Sequence, residues 1–188
     1  MDLVKLSDML SLQSRLDDIM KKRAIELGYP KCCSLIFKNK GLYTELLLYE
    51  YEFGSNSILS DVLCFKRNRV LDRLVNCWSS ALSVALHYFS KDDIVIKVGN
   101  TSSISSNNSD YIFNKIVELT KDTFGLIDFI GDIEERSTRY LKELERNACQ
   151  TIVELSRLLE VLGFTFDEMY QRYIYLQTLN LDRLSKLK

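Results

Sequence analysis

This sequence is poor in everything that interrupts a helix. It has one proline, Pro30, and seven glycines in 188 residues. Proline ends helices by removing a backbone donor, and glycine weakens them through its conformational freedom. With so few of either, long leucine-rich stretches run without a stop signal. No run of eighteen or more apolar residues is present, so no membrane-spanning helix is expected. Met1-Asp2 is not followed by a basic region and an apolar run, so no signal peptide is expected. Excess charge of either sign is also missing. The net charge is −1, which offers no electrostatic ground for a nucleic-acid or membrane partner. Histidine is limited to His87, and the five cysteines (Cys32, Cys33, Cys64, Cys77, Cys149) contain no CxxC. That argues against a Cys/His zinc site and for reduced thiols in a reducing, cytoplasmic setting.

What is present is helix-forming sequence with regular apolar spacing. Apolar residues make up 46% and charged residues 27%, the balance of a globular chain long enough for one core. Leu3, Leu6, Leu10, Leu16 and Met20 share one face of a predicted helix over about 3–27, ended by Gly28-Tyr29-Pro30. A second helix is predicted over about 38–53, before a Gly54-Ser55-Asn56-Ser57 turn. A third covers about 66–90, with Leu71, Leu74, Trp78, Leu82, Ala85 and Phe89 as its apolar stripe. Ile94 to Val98 is β-branched and short, and reads as extended loop or frayed helix. The Ser/Asn-rich stretch near 99–110 reads as a flexible connector inside one domain spanning 1–188. Helices at about 110–121 and 123–162 follow, the second with a break or bend near Gly131 and a C-terminal stop at Gly163. Thr165-Phe166-Asp167-Glu168 is a capping box that opens a last helix over about 166–184. The predicted fold is an all-α bundle of about five to seven helices.

Four stretches carry a family likeness. Leu6 to Ile19 reads like an opening helix of the form L-x-x-L-L-x-x-Q-x-x-L-D. Leu42 to Glu52 matches a helix that carries E-x-x-E with a further Glu beyond it. Val70 to Ser83 matches an E-x-x-D helix, and Leu162 to Glu168 with Tyr173, Asn180 and Arg183 matches a closing segment. In this order and spacing the chain resembles the all-α dimeric dUTPase family, relatives of the MazG-like nucleotide pyrophosphatases. The resemblance implies that fold, a homodimer and a dUTP- or dUMP-like ligand. It also implies Mg²⁺, which would neutralise the phosphates and activate water for release of pyrophosphate.

The carry-over fails where the metal would sit. The four carboxylate positions become Glu45, Leu48, Arg73 and Asn76. Only Glu45 keeps a carboxylate, and Arg73 brings a permanent positive charge. Glu52 matches the auxiliary Glu, so any residual metal would have to use Glu45 and Glu52. Tyr173, Asn180 and Arg183 match the nucleotide-binding end, but the Lys expected there is Leu176 and the Gln is Leu184. One compensation is physically available: Arg73 pairing with Glu45 in place of the ion. No metal cofactor and no catalytic residue are then expected. The resemblance extends to phages, where some members act as protein-binding regulators. The leading expectation is accordingly a pseudoenzyme with a regulatory or decoy role, binding a protein or a nucleotide.

Two other readings stay open at this level. The first is an active Mg²⁺-dependent dUTP/dUDP pyrophosphatase in which Glu45, Glu52 and Asp72 converge. Asp72 lies about 100° from Arg73 on the helix wheel, which works against it. The second is an unrelated helical adaptor, for which Glu45 and Arg73 need not face each other. Residue by residue there are also ordinary roles. Glu45 and Glu52 could be solvated helix positions, and Arg73 could pair with Asp72 or Asp17. Asn180 and Arg183 could serve the C-terminal end of a helix. Trp78, Tyr49, Tyr51 and Phe89 read as core rather than base-stacking residues, and Cys77 as a small buried hydrophobe.

Overall fold

The computed structural model describes residues 1–29, 34–53, 63–121 and 133–186. Within them are seven helices and no strand: α1 (Leu3–Glu26), α2 (Leu35–Phe53), α3 (Leu63–Tyr88), α4 (Lys91–Asn100), α5 (Ser109–Lys121), α6 (Ile133–Val161) and α7 (Phe166–Lys186). The protein is therefore an all-α bundle. The expected turn at Gly54 to Ser57 and the bend near Gly131 lie outside the described residues, as do Pro30, Cys32 and Cys33.

α3 is the axis of the bundle. It packs against α1, α2, α4, α6 and α7. Leu74, Val75, Cys77, Trp78, Ala81, Leu82 and Ala85 on it are all buried. Trp78 has no exposed surface and meets Phe166 of α7 edge-on at 5.9 Å between ring centres. Removing such side chains from water supplies the main drive for folding, on the order of 25 cal/mol per Å². Buried residues of all seven helices join one apolar cluster.

Local sequence sets the helix ends. The Asp2 carboxylate accepts hydrogen bonds from the backbone N–H groups of Val4 and Lys5, at 3.0 and 3.2 Å. Gly28 and Gly163 end α1 and α6 at φ values of +77° and +80°, where a side chain would be strained. The Thr165–Glu168 capping box forms reciprocally. Glu168 N–H donates to Thr165 Oγ1 at 3.1 Å, and Thr165 N–H donates to Glu168 Oε2 at 2.8 Å.

α4 corrects the sequence reading of Ile94 to Val98. The segment is a regular helix, not an extended loop. Ser90 caps it, accepting from Asp93 N–H at 3.2 Å, and Ile94 and Val98 are buried one turn apart. Tertiary burial of that face outweighs the weak helix preference of β-branched residues. The polar connector after α4 lies against α6, which holds its backbone through Gln150, Glu154 and Arg157.

Candidate functional site: an ion-paired seam between α2 and α3

α2 carries Lys38, Glu45 and Glu52 at intervals of seven residues, two helical turns, so the three lie on one face. α3 opposes them with Arg69, Arg73, Asn76, Ser79 and Ser83, spaced by three or four residues. The two helices pack closely, and a polar seam runs between them through the side of an otherwise apolar bundle.

The upper part of the seam is charged. Arg73 inserts its guanidinium between the two α2 carboxylates. Nη1 lies 3.1 Å from Glu45 Oε2, and Nη2 lies 2.7 Å from Glu52 Oε1. Asn76 Nδ2 also points at Glu45 Oε2, at 3.5 Å. Arg69 flanks Glu52 from the solvent side at 3.6 Å. Side-chain exposures are 27% for Arg73, 24% for Glu45 and 16% for Glu52, so the cluster is largely shielded from water without being sealed. The Arg73 hydrogen bond holds the Glu52 carboxyl below its usual range, and Glu52 in turn raises the Arg73 guanidinium. Both groups therefore keep their charge at neutral pH.

This arrangement does not fit a divalent cation. Mg²⁺ wants several hard oxygens in octahedral geometry. Here the carboxylates of Glu45 and Glu52 already bind a guanidinium, and Leu48, part-buried between them on α2, offers no ligand. An incoming cation would have to displace or sit beside a fixed positive charge. Asp72 does not join the cluster. Its carboxylate faces α7, where Arg172 binds it bidentately through Nε at 2.5 Å and Nη2 at 2.9 Å. Among the described residues no group of three or more His, Cys, Asp or Glu side chains converges.

The lower part of the seam is a hydrogen-bond network joining α1, α2, α3 and α7. Gln13, which is buried, accepts through Oε1 from Ser79 Oγ at 2.7 Å and from the Tyr173 hydroxyl at 2.8 Å. Gln13 Nε2 donates to Asp17 Oδ1 at 2.9 Å. Asp17 Oδ2 is met by Lys38 Nζ and by Ser83 Oγ, each at 2.6 Å. Gln13 and Asp17 belong to the opening motif, but their role and that of Lys38 were missed in the sequence. The seven-residue spacing of Lys38 from Glu45 was the available signal.

The other expected site residues fall apart in space. Tyr173 is fully buried, with its hydroxyl also 3.2 Å from the Met9 carbonyl, so it is spent on the network. Asn180 donates to Gln177 Oε1 at 3.0 Å, and Arg183 is exposed in the last turns of α7. α7 packs on α1, α3 and α6, and among the described residues it does not approach α2. Glu45 and the α7 residues are thus not brought together. Cys77 and Cys149 are buried free thiols. Burial raises both, Cys149 to about 11, so neither is a ready nucleophile. His87 is exposed beside Tyr88, one turn beyond Ser83 on α3, and partial burial followed by the positive charge of Lys38 lowers its imidazole.

Comparisons with family models, with curated proteins and with solved structures give no match. The chain's own geometry must carry the functional reading. No helix among the described residues is long and apolar enough to cross a membrane.

Proposed function

We propose that this chain is a metal-independent, catalytically silent protein of the all-α dUTPase-like kind, which acts by binding. One observation carries the reading: the Arg73 guanidinium bridges Glu45 and Glu52. A cation is there, but it is covalently part of the chain. The bridge supplies a counter-charge to two carboxylates on one face of α2, and it supplies no Lewis acid and no activated water. The contact of α2 with α3 through Glu45 and Arg73 supports this reading over an unrelated adaptor, which would not require the two residues to meet. Asp72, engaged by Arg172, weighs against an enzyme with a rearranged metal set.

On this reading the fold is retained for recognition, in a regulatory or decoy role toward a protein, with a nucleotide-like ligand as the lesser form. A homodimer and a cytoplasmic setting accompany the proposal. The buried free thiols of Cys77 and Cys149 fit a reducing compartment.

The decisive experiment is direct. Purified protein with excess Mg²⁺ or Mn²⁺ should release no pyrophosphate from dUTP and no phosphate from dUDP, and turnover at an enzymatic rate would overturn the proposal. The combined variant Leu48→Glu, Arg73→Glu, Asn76→Asp tests the alignment by itself. Calorimetry should show Mg²⁺ binding to that variant and none to the wild type. A folded variant that binds no metal would mean that these four positions never formed a metal set.

A further inference from the structure

A second charged site lies on another side of the bundle. After α4, residues Thr101 to Asn108 form a strap that is polar apart from Ile104. α6 meets it with Gln150, Glu154 and Arg157, spaced by four and three residues and so on one helical face. Gln150 Nε2 donates to the Ser102 carbonyl at 3.2 Å. The Ile104 N–H donates to both oxygens of Glu154, at 3.1 and 3.3 Å. Arg157 donates to the Ser106 carbonyl through Nε at 3.2 Å and Nη2 at 3.1 Å. The helix thus reads the backbone of every second strap residue: acceptor, donor, acceptor. Arg157 also holds Asn107 Oδ1 and pairs with Glu160.

Two properties of this clamp point beyond structure. First, the strap has little apolar anchorage. Ser102, Ser103, Ser105, Asn107 and Asn108 are exposed, and Ile104 is only part-buried. Segments of this kind are the ones that open locally. Second, Glu154 has no exposed surface. Among the described residues no cation lies within salt-bridge distance of it, Lys115 acting only at longer range, and beyond the Ile104 N–H its only hydrogen-bond donor is the Gln150 amide. Lifting the strap leaves a buried carboxylate short of donors, which is unfavourable unless another N–H takes the place. A cavity of about 260 Å³ adjoins the clamp, lined by Leu3, Val98, Thr101, Ser103, Val153 and Ser156. Strap residues form one of its walls, so release of the strap widens it.

We propose that the 101–108 strap is a releasable latch that fills, in cis, a backbone-reading groove on α6. Once it lifts, the groove takes a short peptide segment of a partner protein. The partner needs an N–H for Glu154 and a carbonyl two residues later for Arg157, with a small apolar side chain at the first position. The inference does not rest on the dUTPase-like reading and stands whether or not the α2–α3 seam ever held a metal.

The test uses the full chain and a labelled peptide copying residues 101–110. Ile104→Pro removes the N–H that Glu154 accepts. Hydrogen exchange in the strap should then rise about ten-fold or more, the loss of one charge-assisted bond. The peptide should bind Ile104→Pro and not the wild type, whose tethered strap wins by effective concentration. Adding Glu154→Ala should abolish that binding. Wild-type protection of the Ile104 amide no better than in a free peptide would overturn the latch. Absence of binding to Ile104→Pro, with its strap shown to be open, would overturn the groove. Should Ile104→Pro not fold, Arg157→Gln leaves the backbone intact. It should still speed exchange at 105–108, without admitting the peptide because the groove has lost its carbonyl reader, and unchanged exchange would sink the proposal.

Discussion

The α2–α3 seam and the α6 clamp solve one problem in two ways. Each holds carboxylates in a poorly solvated place. The seam brings cations: Arg73 lies between Glu45 and Glu52, all three keep a fraction of their surface in water, and Arg69 beside Glu52 completes the charge balance. The clamp brings neutral donors: Glu154 is fully buried and is met by a backbone N–H and an amide. A guanidinium shared by two carboxylates ties two helices together through charge. A carboxylate matched to the N–H of a polar strap makes a unit that can be opened and refilled. The difference separates a site closed by cations of its own from one whose structure leaves room for exchange.

The strongest way to break this contrast is to remove the seam's bridging cation. Arg73→Ala should strip Glu45 of its guanidinium partner and leave Glu52 with the more exposed Arg69 at 3.6 Å. Taking one partner from a shielded ion pair costs about 3–5 kcal/mol, and the partial exposure here places the loss nearer about 2–3 kcal/mol. Urea denaturation at neutral pH should show it as a lower midpoint. The variant should regain stability relative to wild type as pH falls. Protonation neutralises the unpaired Glu45 in the variant, whereas in the wild type it dissolves the bridge that lowers the Glu52 carboxyl. A cost that is independent of pH would mean that the bridge is ornamental.

The clamp should respond more weakly and more locally. Glu154→Ala leaves the Ile104 N–H without its acceptor but also removes a buried charge. The net loss should be about 1–2 kcal/mol. Hydrogen exchange should quicken over 101–108 and stay unchanged in α3. Uniform quickening throughout the bundle would make Glu154 part of the global core and erase the distinction between the two regions.

How much of this was legible beforehand depends on the range of the interaction. The helices were, because the apolar spacing along α1, α3 and α6 is a local signal, and so was the capping box at Thr165 and Glu168. α4 was not, because its stability comes from burying Ile94 and Val98 against other helices. A Ser-x-x-Asp cap at Ser90 and Asp93 was its one local trace. The pairing of Arg73 with Glu45 could be anticipated from two mismatched positions. Its extension to Glu52, and the diversion of Asp72 to Arg172, could not, because helix rotation and the approach of α7 decide them. Glu154 gave no signal at all. Its strap partner is fifty residues away in sequence, and a serine- and asparagine-rich segment looks alike whether tethered or free.

Glu168 offers the smallest effect and the finest comparison, because it uses both devices on one exposed carboxylate. Thr165 serves it with its N–H, and Arg67 serves it with a guanidinium at 2.8 Å. Its carboxyl is lowered to about 2, first by the Thr165 backbone N–H and next by Arg67. A carboxyl lowered on folding adds stability above its ordinary value of 4.5, and that stability fades as pH falls from there toward about 2. Arg67→Ala should therefore raise the Glu168 carboxyl only part of the way, leaving it below its ordinary value when followed by carbon-detected NMR. The stability loss at neutral pH should be about 0.5–1 kcal/mol, since surface ion pairs contribute little. Recovery of the ordinary value in Arg67→Ala would show that the cation, not the N–H, is the stronger holder. The N–H device would then be the weaker of the two, and the strap that Glu154 holds by an N–H would be the easier region to open.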